Sequence, residues 1–161
     1  MCIVIMTDYK VIIPEEHYSI LNFEDEGLPG VAVVNTALRD FEGKIVFDWN
    51  LSLIIELEDI IENGMPSKKE VEIVDSFGDK LDNIIKGPDK EKPNALFLAR
   101  ITWNKTRRLI WRVFDPEIAN TILQGIISKG DSPREFDYQM EQDTEWNFTK
   151  WYLTEWGESK D

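Results

Sequence analysis

Alternation of apolar and polar residues is clearest between residues 45 and 57. Apolar side chains occupy every second position there: Ile45, Phe47, Trp49, Leu51, Leu53, Ile55 and Leu57. Polar residues fill most of the intervening positions, namely Asp48, Asn50, Ser52 and Glu56, with exceptions such as Ile54. A period of two is typical of a strand with one face on the core and one face toward solvent. The pattern therefore predicts a β-strand over 45–57.

Two helices are predicted from apolar residues spaced three and four apart. The first follows Ser67-Lys-Lys-Glu70, which has the form of a capping box, in which the Glu70 carboxylate reaches back to the helix start. It ends at Lys86-Gly87, a cation followed by a glycine cap. The second begins at Asp115-Pro116-Glu117, an acceptor followed by proline and an acid, and ends at Lys129-Gly130.

The remaining apolar runs predict further strands. Residues 95–103 and 107–114 flank a short turn and indicate a hairpin, and 134–142 indicates another strand. From residue 45 the order is strand, helix, strand, strand, helix, strand. This order predicts an α+β fold with a ferredoxin-like βαββαβ antiparallel sheet and both helices on one face.

A single domain over 1–161 is expected, in three parts. Residues 1–43 are predicted to form an N-terminal β extension, with strands at 10–13, 17–23 and 31–35, added at an edge of the sheet. Residues 44–142 are the predicted ferredoxin-like core. Residues 143–157 are predicted to form a C-terminal aromatic helix.

Charge narrows the range of partners. The 161 residues include 18 Lys and Arg and 31 Asp and Glu, for a formal net charge of −13. A negative field repels phosphate backbones, so direct binding to nucleic acid is not expected, and a basic protein is the better candidate partner. The simpler alternative is that the acidity only keeps the protein soluble.

Location is predicted from cysteine usage and hydropathy. The one cysteine, Cys2, excludes a disulfide within the chain and fits a reducing compartment. The first residues lack the features of a signal peptide, and no stretch approaches the ~20 apolar residues of a membrane span. We therefore expect a cytoplasmic protein that does not enter a membrane.

The usual signatures of catalysis, metal binding and cofactor binding are missing from the sequence. His17 is the single histidine, which leaves no histidine-based zinc set, and no calcium loop or glycine-rich phosphate loop occurs. Glu56, Glu58, Asp59 and Glu62 form a carboxylate cluster that acid–base catalysis could use. In a chain with 31 acids such clusters arise by chance, so a solvated face is the favoured interpretation. We expect no enzyme activity, no metal and no cofactor.

Cations are concentrated on the predicted hairpin, at Arg100, Lys105, Arg107, Arg108 and Arg112, with Trp103 and Trp111 between them. We expect these arginines to pair across strands with the surplus acids. The alternatives are a patch for an anionic ligand or a protein contact and, less favoured, an RNA surface, since such sheets bind RNA in other proteins.

The C-terminal aromatics form an unusually wide stripe. Trp146, Phe148, Trp151, Tyr152, Leu153 and Trp156 would spread over about 220° of a helix, more than one buried face needs. Burial between the core and the N-terminal strands is the favoured interpretation. Exposed aromatics would instead mark a binding surface or a dimer contact.

Three strings resemble the bacterial domain-of-unknown-function 695 family. They are Gly27-Leu-Pro29-Gly30 with Asn35 and Leu38, Gly64-Met-Pro66-Ser67 before a helix, and Asp143-Thr-Glu-Trp146-Asn-Phe148. The family's closing motif reads Asp-Pro-x-Trp-x-x-Tyr, so Asp143 and Trp146 match it whereas Thr144 and Thr149 depart from it. The resemblance implies that Asp143 caps the last helix with Trp146 packed behind it, and it implies no activity. The architecture is more distantly similar to the type B regulator of ribonuclease E activity, a small acidic protein that inhibits its partner.

The leading functional hypothesis is a non-enzymatic protein-binding or regulatory domain with a basic partner. The candidate contacts are the carboxylates of Glu56, Glu58 and Asp59 and the rings of Trp151 and Trp156. One alternative is an immunity-type protein that inhibits a toxin nuclease. Another is a small-molecule-binding module with a tryptophan-lined pocket between the sheet and the aromatic helix.

Overall fold

The computed structural model describes residues 9–156, with side chains up to Leu153. The fold is α+β, as predicted, and is built on a six-stranded antiparallel sheet. The strands are β1 (Tyr18–Asp25), β2 (Leu28–Asn35), β3 (Trp49–Glu56), β4 (Ala95–Trp103), β5 (Thr106–Val113) and β6 (Phe136–Gln142). The helices are α1 (Lys68–Lys86) and α2 (Pro116–Lys129), and shorter helical turns lie at Thr36–Leu38, Lys44–Val46, Glu62–Gly64 and Trp151–Trp156.

The strand order is β1-β2-β4-β5-β3-β6. In the middle of the sheet, Leu51 on β3 is paired with Trp111 on β5 and with Met140 on β6. The β1–β2 hairpin extends the sheet beside β4, where Val33 is paired with Arg100. The N-terminal strands are therefore added at an edge, as the sequence predicted.

Both helices pack into one core on the same side of the sheet. Their buried positions recur at three and four residues, as at Val74, Phe77 and Leu81 of α1, and they meet alternate residues of the strands. The buried strand residues in this core are Leu51, Leu53, Ile55, Ala95, Leu109, Trp111 and Val113. Since alternate residues of a strand share a face, this layer is the helix side of the sheet.

The opposite side of the sheet is covered by irregular segments. Tyr9, Phe41, Phe47, Trp146 and Leu153 lie outside the strands and pack there in a second core. Their strand partners are Leu21, Ala32, Val34, Leu96, Leu98, Ala99 and Ile110. The face of β3 predicted to meet water is thus partly covered, and Asn50 is buried.

The strand predicted over 45–57 is shorter than the pattern suggested. It spans Trp49–Glu56, and Lys44–Val46 form a helical turn before it. Phe47 lies in the second core, opposite Leu51 and Leu53, and Ile45 is exposed. The sequence alternation therefore extended past the strand, because Phe47 belongs to the other core and Ile45 is an apolar residue at the surface.

Two further predicted elements differ at the chain ends. Residues 10–13 form no strand, although Val11 and Ile13 pack against the second core. The helix predicted over 143–157 is absent from 143–149, which form turns, and the regular segment is Trp151–Trp156. Trp146 has a positive φ of 60°, a left-handed conformation that ends helical continuity at that point.

The capping box at α1 is half present. Ser67 accepts a hydrogen bond from the Glu70 N–H at 3.1 Å, as predicted. The Glu70 carboxylate does not return to Ser67 but accepts from the Glu58 N–H and from Arg134. The helix start is therefore linked to the chain after β3.

Within residues 9–156, no helix is long and apolar enough to cross a membrane.

Candidate functional site

A groove runs between α1 and the part of the sheet that α1 leaves uncovered, and we call it the α1–β1 groove. It encloses about 390 Å³. Its floor is apolar and comes from neighbouring strands: Ile20, Val33, Phe97 and Leu109. Ile20 is 65% exposed, an unusual degree for an isoleucine on a sheet face that is elsewhere covered.

One wall of the groove carries three aspartates of α1. Asp75, Asp79 and Asp82 are four and three residues apart, so they lie on one flank of the helix. Gly78 lies between them, and a Cβ at this position would contact only Leu109 Cδ1, at 3.7 Å. The missing side chain leaves the groove open at its middle.

The aspartates have different environments. The Asp75 carboxylate accepts from Arg107 and lies 3.6 Å from Arg100. Asp82 accepts from the Trp111 indole N–H at 2.8 Å and lies 2.9 Å from Lys86. Asp79 is exposed and makes no hydrogen bond or ion pair with any residue that the structure describes. The uncompensated negative charge of the groove is therefore at Asp79.

Two arginines complete the groove. Arg107 is buried and also donates to the Thr102 hydroxyl at 3.1 Å. Burial, followed by the nearby Arg100 charge, lowers the pKa of Arg107, and Asp75 opposes that shift. Both cations share the single Asp75 carboxylate, which offsets only one of their two charges.

The edge of the groove includes Tyr18. Its pKa is raised by burial and then by its hydrogen bond to the Glu16 carboxylate, which also pairs with Lys86 at 2.9 Å. The phenol therefore stays protonated and fixed at the rim of the groove.

A second cavity lies on the opposite side of the sheet, and we call it the aromatic pocket. It encloses about 540 Å³ and is lined by Phe23, Glu24, Asp25, Ile101, Trp103, Trp151 and Tyr152. The Trp103 indole N–H donates to the Asp25 carbonyl at 3.1 Å, which fixes that ring at the end of the β1–β2 hairpin.

The carboxylates predicted as contacts lie at the far end of β3. Glu56 is exposed, Asp59 accepts from the Ser67 hydroxyl at 2.6 Å, and Glu58 lies 3.5 Å from Arg134. None of the three lines either the α1–β1 groove or the aromatic pocket.

The hairpin arginines do not form one patch. Arg100 and Arg107 lie on the helix side, whereas Arg108 and Arg112 alternate with them on the other side of the sheet. Cross-strand pairing with acids was the expected arrangement. The partners are instead Asp75 of α1, the Ser52 hydroxyl for Arg108 at 2.7 Å, and Asp143 for Arg112.

Asp143, Trp146 and Arg112 form a buried structural cluster. Arg112 donates to the Asp143 carboxylate at 3.1 Å and to its carbonyl at 2.6 Å, and its guanidinium lies 4.5 Å from the centre of the Trp146 ring. Asp143 also accepts from the N–H groups of Asn147 and Phe148. The capping role predicted for Asp143 is therefore present as a cap on a turn, with Trp146 packed beside it.

The remaining predicted contacts are the C-terminal tryptophans. Trp151 is 43% exposed and lines the aromatic pocket, so part of the aromatic stripe faces solvent. The side chain of Trp156 lies outside the described residues. Trp146 and Leu153 are buried, so the stripe is divided between core and surface.

Sequence reasoning singled out Arg100 and Arg107 but missed the other residues that make the groove. The signal was present in Asp75, Asp79 and Asp82 beside a mid-helix glycine, but aspartates on a helix surface are ordinary in an acidic chain. It also missed Phe23, because nothing in the sequence shows that this ring lines the same pocket as Trp103.

The described residues do not form a metal site. Among residues 9–156 the structure places no group of three or more His, Cys, Asp or Glu side chains where they could hold a metal ion. His17 lies 3.1 Å from the Thr36 hydroxyl.

Comparison with known proteins gives one match. Neither the curated proteins nor the solved structures include a significant match to this sequence. The model of a family of unknown function, DUF695, matches residues 26–153, which include β2 to β6, both helices and the Asp143–Trp146 cluster but not β1. The chain therefore belongs to the DUF695 family.

Proposed function

We propose that this protein is a non-enzymatic, cytoplasmic protein-binding or regulatory domain whose docking surface is the α1–β1 groove. One observation carries the proposal: an apolar floor with an exposed Ile20 lies beside an aspartate without a partner among the described residues. Interfaces combine an apolar centre with a charged rim, and the charge selects the partner.

The partner expected from this chemistry is a basic segment with apolar side chains on one side. Its apolar residues would cover Ile20 and Val33, and a lysine or arginine would lie against Asp79. An amphipathic helix has this arrangement, and so does an extended strand that pairs with the edge of β1 that no other described strand occupies. The net charge of −13 would speed the encounter with such a segment.

The strand order β4-β5-β3-β6, with a helix after β3 and after β5, supports the proposal that residues 49–142 form a ferredoxin-like unit. On this proposal, a likeness in architecture to the type B regulator of ribonuclease E activity favours an inhibitory role. This likeness concerns the fold, and the groove carries the functional argument.

The test begins with a photo-crosslinking amino acid placed at Ile20. A matched control carries the same group at Ile45, which is 70% exposed and outside the groove. We expect a basic protein to be crosslinked from Ile20 and not from Ile45. Equal capture from both positions, or capture of a partner without a basic surface, would contradict the proposal.

The affinity of the captured partner is then measured with three variants. Asp79→Lys reverses the unpaired charge, and Gly78→Leu fills the groove without changing charge. Each should weaken binding about tenfold or more, since ~1.4 kcal/mol is a factor of ten. Glu145→Lys, an exposed acid in the C-terminal segment, is the charge control and should leave affinity within about twofold.

An immunity-type inhibitor would use the same groove. This hypothesis predicts that the partner is a nuclease and that the wild-type protein blocks the nuclease activity. The Asp79→Lys variant should fail to block that activity. The third hypothesis, a small-molecule-binding module, is supported by the aromatic pocket, which contains two tryptophans.

A further inference from the structure

Three neighbouring strands build the wall of the aromatic pocket. Phe23 on β1 is paired with Gly30 on β2, and Gly30 is paired with Trp103 on β4. The three residues form one cross-strand row on the side of the sheet opposite the helices. Ile101 lies two residues before Trp103 on the same face and forms the apolar floor.

Gly30 lets the Phe23 ring lie across the row. A Cβ at Gly30 would fall 2.2 Å from Phe23 Cζ and 2.6 Å from Cε2, closer than atoms approach one another. The ring therefore occupies the space above the glycine and points toward Trp103. With Trp151 and Tyr152, whose ring centres are 5.5 Å apart at 74°, the pocket contains four aromatic side chains.

The polar lining of the pocket is acidic. Glu24 and Asp25 are exposed, and none of the lining residues that the structure describes is a lysine or arginine. Arg108 is a nearby cation whose charge opposes the rise that burial causes in the pKa of Tyr152, but it lies in the adjacent recess and donates to the Ser52 hydroxyl. The part of the pocket beside Phe23, Glu24 and Trp103 is therefore the most favourable for positive charge.

We propose that the aromatic pocket binds a quaternary or fully methylated ammonium group. Aromatic faces attract cations through the ring quadrupole, and tryptophan does so most strongly. Removing water from a methylated ammonium costs little free energy, so this group can fill an apolar cavity. A primary ammonium is more strongly hydrated, and it therefore stays in water. The Asp25 residue of the lining, two positions after Phe23 on β1, adds attraction that a neutral ligand of the same shape lacks.

This ligand chemistry occurs in free choline-like molecules and in trimethylated lysine side chains. In both cases the group that the pocket would bind is the trimethylated ammonium. It lies on the other side of the sheet from the α1–β1 groove, so the inference does not depend on the proposed docking function.

The test is a titration followed by the indole N–H signals in NMR, with Trp103 and Trp151 assigned through Trp→Phe variants. Tetramethylammonium is the basic probe. Choline and a trimethyl-lysine peptide are the two source probes, and 3,3-dimethylbutanol is the neutral isostere of choline. We expect saturable shifts of the Trp103 and Trp151 signals with the cations and binding of the neutral isostere about tenfold weaker.

Variants locate the site. Trp151→Ala and the pair Glu24→Gln with Asp25→Asn should each weaken tetramethylammonium binding about tenfold. Phe148→Ala removes an exposed aromatic of the same C-terminal segment that is outside the pocket, and it should change affinity less than twofold. If choline binds more tightly than the trimethyl-lysine peptide, the natural ligand is a free choline-like molecule. If the peptide binds more tightly, the ligand is a trimethylated lysine side chain.

Equal binding of choline and its neutral isostere would overturn the inference, as would the absence of saturable shifts with all three ammonium probes. Asp79→Lys should leave these titrations unchanged. Failure of the ammonium site is therefore distinguished from failure of the groove.

Discussion

Glu70 shows how one side chain holds several elements together. Its carboxylate is fully buried and accepts from Arg134 Nε at 2.7 Å, from Arg134 Nη2 at 2.6 Å and from the Glu58 N–H at 2.9 Å. These bonds join the start of α1, the chain after β3 and the chain before β6. The Arg134 hydrogen bonds lower the pKa of Glu70 to about 2, although burial opposes this shift.

Replacement of this carboxylate gives the first prediction. Glu70→Gln should lower the free energy of unfolding by about 2 kcal/mol at pH 7, because it removes charge-assisted bonds from a buried site. The folded-state pKa is depressed, so the stabilisation is complete above the ordinary glutamate value and is lost as pH falls toward 2. The difference between variant and wild type should therefore shrink from pH 4.5 downward.

Urea denaturation at several pH values measures this difference. Glu72→Gln is the control, since Glu72 is exposed on the same helix. A Glu70→Gln penalty that stays constant from pH 7 to pH 3 would show that the carboxylate charge is not its origin.

At the scale of elements, the C-terminal segment is held by polar contacts more than by helix formation. Arg112 donates to Asp143 and to the Phe47 carbonyl, and the Trp146 indole N–H donates to the Lys44 and Phe47 carbonyls. Burial opposes ionisation of Asp143, but the N–H groups of Phe148 and Asn147, with Arg112, outweigh it and lower the pKa. The segment is thus attached at a few buried points.

The second prediction concerns this attachment. Asp143→Ala leaves Arg112 buried without its carboxylate and removes two backbone caps, which should cost about 3 kcal/mol. Residues 143–153 should then lose protection from hydrogen exchange, while α1 and β5 keep theirs.

Hydrogen exchange read by mass spectrometry resolves the two regions. Thr144→Ala, an exposed neighbour, is the control and should match wild type. Uniform loss of protection across the chain would mean that the segment is part of a single cooperative unit.

The sequence predicted those elements whose signals lie close together along the chain, and it failed where the structure depends on contacts between distant residues. Helices α1 and α2 were predicted with their caps, because Ser67, Asp115 and the closing glycines act locally. The Asp143 segment was predicted as a helix because apolar spacing cannot reveal that Arg112, 31 residues earlier, holds a turn there. The groove was missed for the same reason, since it exists only where α1 passes β1 and β2.

At the scale of the whole molecule, charge is the dominant feature. Some carboxylates pair locally with cations, such as Glu70 with Arg134 and Glu16 with Lys86, but the formal net charge of −13 is the excess of acids that remains after every cation is counted. Self-repulsion of such a surface opposes the compact state.

Added salt should therefore stabilise the protein, which is the third prediction. The midpoint of thermal unfolding should rise as sodium chloride increases from about 0.02 M to about 0.5 M, because the Debye length shortens and repulsion weakens. Differential scanning calorimetry measures the midpoint. A fall over this range would mean that the ion pairs, rather than the excess acids, dominate the electrostatic energy.

The second core closes with residues that are made late. Trp146 and Leu153 complete a layer that begins with Tyr9, Leu21 and Phe41. During synthesis the ribosome delivers the chain from its N-terminus, so β1, β2 and α1 emerge long before these residues do. One face of the sheet consequently stays open on the nascent chain, and a chaperone that binds apolar surfaces has its longest opportunity there.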